Sequence, residues 1–160
     1  MQSVSIGCIF YDADGTSKGE NMYYLKTSAS FDSAHFLHGY QGKCANLHGH
    51  HWVIEVKIAG AHLQQNGDKS GMLIDFSELK QAVRELADSF DHALIYEENS
   101  LKSNTIEALL AENFCLVPVK FRPTAENFAH YFFEQLYQKG LPVASVAVYE
   151  TPDNCAVYEV

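Results

Sequence analysis

The chain is expected to fold as an α+β protein, an antiparallel sheet with two helices on one face in the order β-β-α-α-β-β. Three observations carry that expectation. Two segments, Met22 to His35 and His50 to Gly60, alternate apolar and polar residues as half-buried strands do. Two later segments, 75–90 and 123–136, space their apolar residues three and four apart, as helices do when one stripe faces a core. The chain then closes on two short apolar stretches, 143–150 and 155–160, around the turn Thr151-Pro152-Asp153-Asn154.

Residues 12–21, with Asp12, Asp14, Gly15, Ser17, Gly19 and Asn21, are turn-rich and are expected to join a short first strand to the main fold. In the strand 50–60, Trp52, Ile54, Val56 and Ile58 share one face. Between the two main strands, Leu37 to Leu47 carries Gly39 and Gly42 and reads as a loop at the end of the sheet. Residues 61–71 include Asn66-Gly67-Asp68, a hairpin signal, and predict a return into a short strand from Met72 to Ile74. The first helix opens on Asp75 with Glu78 at capping-box spacing, and its stripe is Phe76, Leu79, Val83, Leu86 and Phe90. The second opens on Pro123-Thr124, presents Phe128, Tyr131, Phe132 and Leu136, and stops at Gly140-Leu141-Pro142. The stretch from Glu97 to Arg122 exceeds a minimal connection and reads as a lid or an interface element.

Composition bounds the function. A chain of 160 residues, 47% hydrophobic and 19% charged, suits one globular domain over 1–160. Its net charge of −9, from 20 acidic against 11 basic side chains, opposes a nucleic-acid partner but leaves room for a small phosphorylated ligand. Lys43 and Arg122 are candidate phosphate contacts. No apolar run approaches the roughly 20 residues of a membrane helix, and the first ten residues lack a signal-peptide pattern. A cytoplasmic location without membrane partners is the expectation. Cys8, Cys44, Cys115 and Cys155 are scattered without a Cys-x-x-Cys pair and read as free thiols.

His48-Gly49-His50 is the strongest local signal. Residues two apart in an extended segment project to one face about 7 Å apart, so both imidazoles can reach one ion. His35, at the end of the preceding strand, is placed to supply a third ligand from an antiparallel neighbour. Three histidines with an open position describe a catalytic zinc site. Cys44, four residues before His48, is either a reactive thiol or a fourth ligand that would make the site structural; spacing leaves both open. His38, His51, His62 and His130 have no comparable arrangement and read as surface residues.

Longer motifs carry a resemblance. Phe31-Asp32-Ser33-Ala34-His35 followed by Cys44-Ala45-Asn46-Leu47-His48-Gly49-His50 is similar to the zinc motif of the 6-pyruvoyl-tetrahydropterin synthase superfamily. Met72-Leu73-Ile74-Asp75-Phe76 and Phe90-Asp91-His92-Ala93-Leu94 resemble its strand-to-helix and Asp-His segments. Pro123-Thr124-Ala125-Glu126-Asn127 and Tyr149-Glu150-Thr151-Pro152 resemble its pterin-site motifs. The similarity runs from about residue 24 to the end and leaves 1–23 as an extension without assigned chemistry. Three residues separate Cys44 from His48, as in the carboxy-tetrahydropterin synthase branch of the queuosine pathway.

The resemblance implies a tunnelling fold, in which subunits join their sheets into a barrel with active sites at the interfaces. A homo-oligomer follows, a hexamer favoured. It implies Zn2+ on His35, His48 and His50, and a carbon–carbon lyase acting on 7,8-dihydroneopterin triphosphate. It casts Cys44 as the catalytic thiolate and Asp91-His92 of a neighbouring subunit as proton relay. Glu150 becomes the catalytic-site carboxylate and pterin anchor, with Thr124 and Glu126 as further pterin contacts. A 6-pyruvoyl-tetrahydropterin synthase is the sister alternative, and a non-catalytic zinc-stabilised interaction module the remote one.

Overall fold

The computed structural model describes residues 21–160. The expected first strand and the turn-rich joint at 12–20 lie outside the described residues. Two long strands, β1 (Tyr23–His35) and β2 (His48–Gly60), pair antiparallel over their full length, with His35 opposite His48 and Phe31 opposite Trp52. That register follows from alternation, because a slip of one residue would turn Trp52, Ile54, Val56 and Ile58 out of the core. All four are fully buried.

Helix α1 (Phe76–Asp88) begins where the Asp75 carboxylate accepts the Ser77 N–H at 2.7 Å. The Glu78 carboxylate is taken by Lys69. Leu79, Val83 and Leu86 face the sheet, and Phe90 follows them into the core, whereas Phe76 stays largely exposed at the first turn. Helix α3 (Ala125–Gln138) buries Phe128, Phe132 and Leu136 against β5 (Val143–Thr151) and β6 (Asn154–Glu159), and ends at Gly140, whose φ of 84° suits a residue without Cβ. An aromatic cluster of Phe31, Trp52, Phe90, Phe128 and Phe132 joins both helices to the sheet.

Four sequence expectations are corrected. The sheet is mixed: its order is β4-β3-β1-β2-β5-β6, and β3 (Ala93–Glu97) lies parallel to both β1 and β4 (Leu116–Val119). A third helix, α2 (Ser103–Ala111), fills the 97–122 stretch, because parallel neighbours need a crossover. It buries no residue fully, and its apolar stripe is only one turn long, Ile106, Leu109 and Leu110, a weak signal in the sequence. Met72 to Ile74 is not a strand, and 61–71 is not a hairpin. The segment closes on itself through Gln64 N–H to Met72 O (2.9 Å) and Gly71 N–H to Gln64 O (2.8 Å), with Gly67 at φ 81°.

Candidate active site

The β1–β2 register brings three imidazoles to the helix-covered face of the sheet. His35 ends β1 directly across from His48, and His50 lies two residues farther along β2. Carbonyl oxygens only accept, so the contacts of His35 Nδ1 to Pro123 O (2.7 Å) and of His48 Nδ1 to Asn46 O (2.8 Å) put the proton on Nδ1 in both rings. Each Nε2 is then left with a lone pair. The two Nε2 atoms nevertheless stand 3.1 Å apart. Two facing acceptors repel unless a cation lies between them, and a tetrahedral ion with bonds of roughly 2.1 Å holds its ligands roughly 3.4 Å apart.

His50 Nε2 is buried without a hydrogen-bond partner, and the three ligand atoms lie within 4.8 Å of one another. Burial holds His35 down to about 4 and lowers His50 as well, so both rings are neutral at pH 7, the form that binds a metal. Their edges rest on Trp52, with centroids at 5.0 and 5.2 Å. The donor set therefore fits a divalent ion of the zinc type. Glu150 Oε1 lies 3.7 Å from Nε2 of both His35 and His50 and brings a negative charge to the same point. Tyr149 pairs with Val53, so alternation turns Glu150 to the helix side, just where the β5–β6 register shifts.

Cys44 is not part of the converging set. It lies on a single 3-10 turn, Lys43–Ala45, and faces a cleft of about 280 Å³ shared with Tyr40, Thr124, Glu126 and Glu150. Thr124 also caps α3, its hydroxyl accepting the Asn127 N–H at 3.4 Å, and it lines the cleft as well.

Asp91 and His92 are elsewhere. His92, at φ 52°, donates its N–H to Asp32 O (2.7 Å), and Asp91 Oδ1 accepts the Asp32 N–H (2.8 Å). The pair is thus clipped to the outer edge of β1. Asp91 Oδ2 holds His92 Nδ1 at 2.8 Å. That bond raises the His92 pKa, while the Asp32 N–H and then His92 keep the Asp91 carboxyl below its usual range. His92 opens onto a larger cavity of about 630 Å³, which it shares with Asp32, His51, Leu109, Phe114 and Cys115. Sequence reasoning missed two members of this group. Asp32 and His51 are cross-strand partners joined at 2.8 Å, a pairing that follows from the register once His35 is set opposite His48.

Comparison with known proteins fits this arrangement. The family model described as 6-pyruvoyl tetrahydropterin synthase matches residues 24–160. A protein of Haemophilus influenzae named 6-carboxy-5,6,7,8-tetrahydropterin synthase is 39% identical over 141 residues, covering 86% of this chain and 99% of its own. A Rickettsia felis protein of the same name is 34% identical over 134 residues, covering 79% and 92%. The solved 6-pyruvoyl tetrahydropterin synthase of Plasmodium vivax superposes with a TM-score of 0.65 at 22% identity, over 88% of this chain and 98% of that one, and shows the shared α+β tunnelling fold. With the family's sequence pattern matched over nearly the whole described chain, and its fold around three converging histidines, the chain belongs to the 6-pyruvoyl tetrahydropterin synthase family.

Proposed function

We propose that the chain is a zinc-dependent carbon–carbon lyase of queuosine (7-deazapurine) biosynthesis. With water, it converts 7,8-dihydroneopterin triphosphate into 6-carboxy-5,6,7,8-tetrahydropterin, acetaldehyde and triphosphate. The observation that carries this reading is the cleft in which Cys44, Thr124, Glu126 and Glu150 meet beside the three imidazoles. The names of the relatives at 34–39% identity and the three-residue gap between Cys44 and His48 favour the carboxy over the pyruvoyl product.

His35, His48 and His50 would hold the zinc, which when bound supplies Lewis acidity toward the oxygens of the substrate side chain. Glu150 accepts hydrogen bonds from the 2-amino-pyrimidinone edge, a geometry suited to a carboxylate, and Thr124 and Glu126 line the same wall. Cys44, as thiolate, takes a proton from a side-chain carbon and returns it one position away. His92 holds a proton on behalf of that thiolate, with Asp91 stabilising the imidazolium.

His92 and Cys44 face different cavities of one chain, so the relay is assigned to a neighbouring copy. The sheet supports such a neighbour. β3 pairs only with Ser33–His35 of β1, which leaves Tyr23–Phe31 with an open outer edge among the described residues, and β6 is open at the other end. Open edges are templates for another strand, and joining them builds the expected oligomeric barrel, a hexamer in this reading.

Incubating the zinc-loaded protein with 7,8-dihydroneopterin triphosphate, with mass detection of products, tests the reading. Equal amounts of acetaldehyde and 6-carboxy product are expected. A 6-pyruvoyl product without acetaldehyde would assign the sister reaction, and no turnover would leave only a zinc-stabilised interaction module.

A further inference from the structure

The segment Arg122-Pro123-Thr124 touches His35, the cleft and the loop that carries Cys44. The Pro123 carbonyl orients His35 through Nδ1 at 2.7 Å, and Thr124 lines the cleft. The half-buried Arg122 guanidinium donates to the His38 carbonyl, at the near end of the loop that carries Cys44. The Arg122 backbone is itself fixed to α3, its carbonyl accepting from Thr124 N–H (2.8 Å) and from Asn127 Nδ2 (2.9 Å).

The loop is a closed unit. Leu37 N–H donates to Cys44 O at 2.8 Å across its neck, Tyr40 N–H to Leu37 O at 3.2 Å, and Ala45 N–H to Gly42 O at 3.1 Å. Gly42 packs so closely under Tyr40 that a Cβ there would lie 2.5 Å from the ring. Because Cys44 O binds Leu37 N–H, and His38 follows Leu37, displacing His38 displaces Cys44. Among the described residues, Arg122 gives this loop its one hydrogen bond from outside the β1–β2 hairpin.

We infer that Arg122 is a positioning residue for the Cys44 thiol, holding the loop against the same short segment that orients the metal ligand His35. The inference rests on the proposed reaction only for the role of Cys44; the latch itself is independent of it. It reassigns Arg122 from candidate phosphate contact to structural clamp of the reacting group.

Arg122→Ala and Arg122→Lys test it in the full chain. Arg122→Ala is expected to keep about one zinc per chain, to lose roughly 100-fold in kcat and to change KM less than about threefold, as a misplaced reacting group does. Guanidinium ion at a non-denaturing concentration should restore part of that loss, and Arg122→Lys, with a compact ammonium on a flexible stem in place of the planar fork, should fall between. Hydrogen exchange of residues 36–47 should accelerate in Arg122→Ala while β2 and α1 stay unchanged. A loss confined to KM would return Arg122 to phosphate binding and overturn the inference, as would wild-type kcat. Should Arg122→Ala not fold, Arg122→Lys carries the same two measurements. If the unmodified protein shows no turnover, the proposed reaction fails, and unchanged loop exchange would then separately overturn the clamp.

Discussion

On the helix-covered face of the sheet, His35 is 1% exposed, its Nδ1 is held by Pro123, and its Nε2 meets His48, His50 and Glu150 within one small volume. On the other side of β1, the His92 side chain is 82% exposed, and its fixed partner is the adjacent Asp91. The first group is closed by the chain's own carbonyls and aromatic rings. The second is fixed through two bonds to the Asp32 backbone, yet lines a cavity to which Cys44 does not contribute. This fixed, exposed acid–base pair supports the proposed assignment of the relay to a neighbouring copy. In the proposed reading, one copy builds the metal-binding and recognition half of a site and offers the relay half of another.

That contrast can be broken by substitution. The largest effect is expected for His48→Ala, which removes one of the three proposed ligands. Zinc content and turnover should vanish together, a loss beyond the roughly 100-fold typical of removing a group that merely supports a ligand. Metal analysis beside a product assay checks it, and full activity in metal-free protein would sink the zinc mechanism. Cys44→Ala comes next, since it lies outside the converging set. Zinc should remain while turnover falls by about 100- to 10,000-fold, the range for a proton-transfer group. Loss of zinc here would make the thiol a ligand.

Mixing sharpens the comparison further. Cys44→Ala and His92→Ala, each reduced about 100-fold or more alone, should regain about a quarter of wild-type activity when unfolded and refolded together, because random assembly leaves that share of interfaces with both groups intact. No recovery would place relay and thiol in one chain. The smallest effect belongs to Asp91→Asn. The carboxylate stabilises the His92 imidazolium, so His92 keeps its proton to higher pH than an ordinary histidine. Removing the charge should move the high-pH limb of the kcat profile to lower pH, at a cost below the roughly 100-fold of losing the relay outright. An unmoved limb would detach His92 from proton transfer.

Much of the site was legible because it is local. His48 and His50 share a face by alternation alone, Asp75 and Thr124 cap their helices, and the Phe31–His35 and Cys44–His50 stretches lie one hairpin apart. What stayed hidden was long-range. Ala93–Glu97 is a short strand that pairs, in parallel, with residues about 60 positions earlier and about 20 later in the chain, and no local period announces such a neighbour. Nor does a sequence show that Arg122 reaches His38, 84 residues away.

By itself the sequence determined the candidate ligand types, their two-residue spacing, the two long strands and the two capped helices, because side-chain alternation and helix capping act within a few residues. Only the tertiary structure decided that Cys44 stands outside the metal set and faces the cleft, that Asp91-His92 is clipped to the far side of β1, and that Arg122 is committed to the thiol loop. Each of those outcomes depends on strand register and on contacts between distant segments, which are set by burying the Trp52 and Phe128 core as a whole rather than by any one stretch of chain.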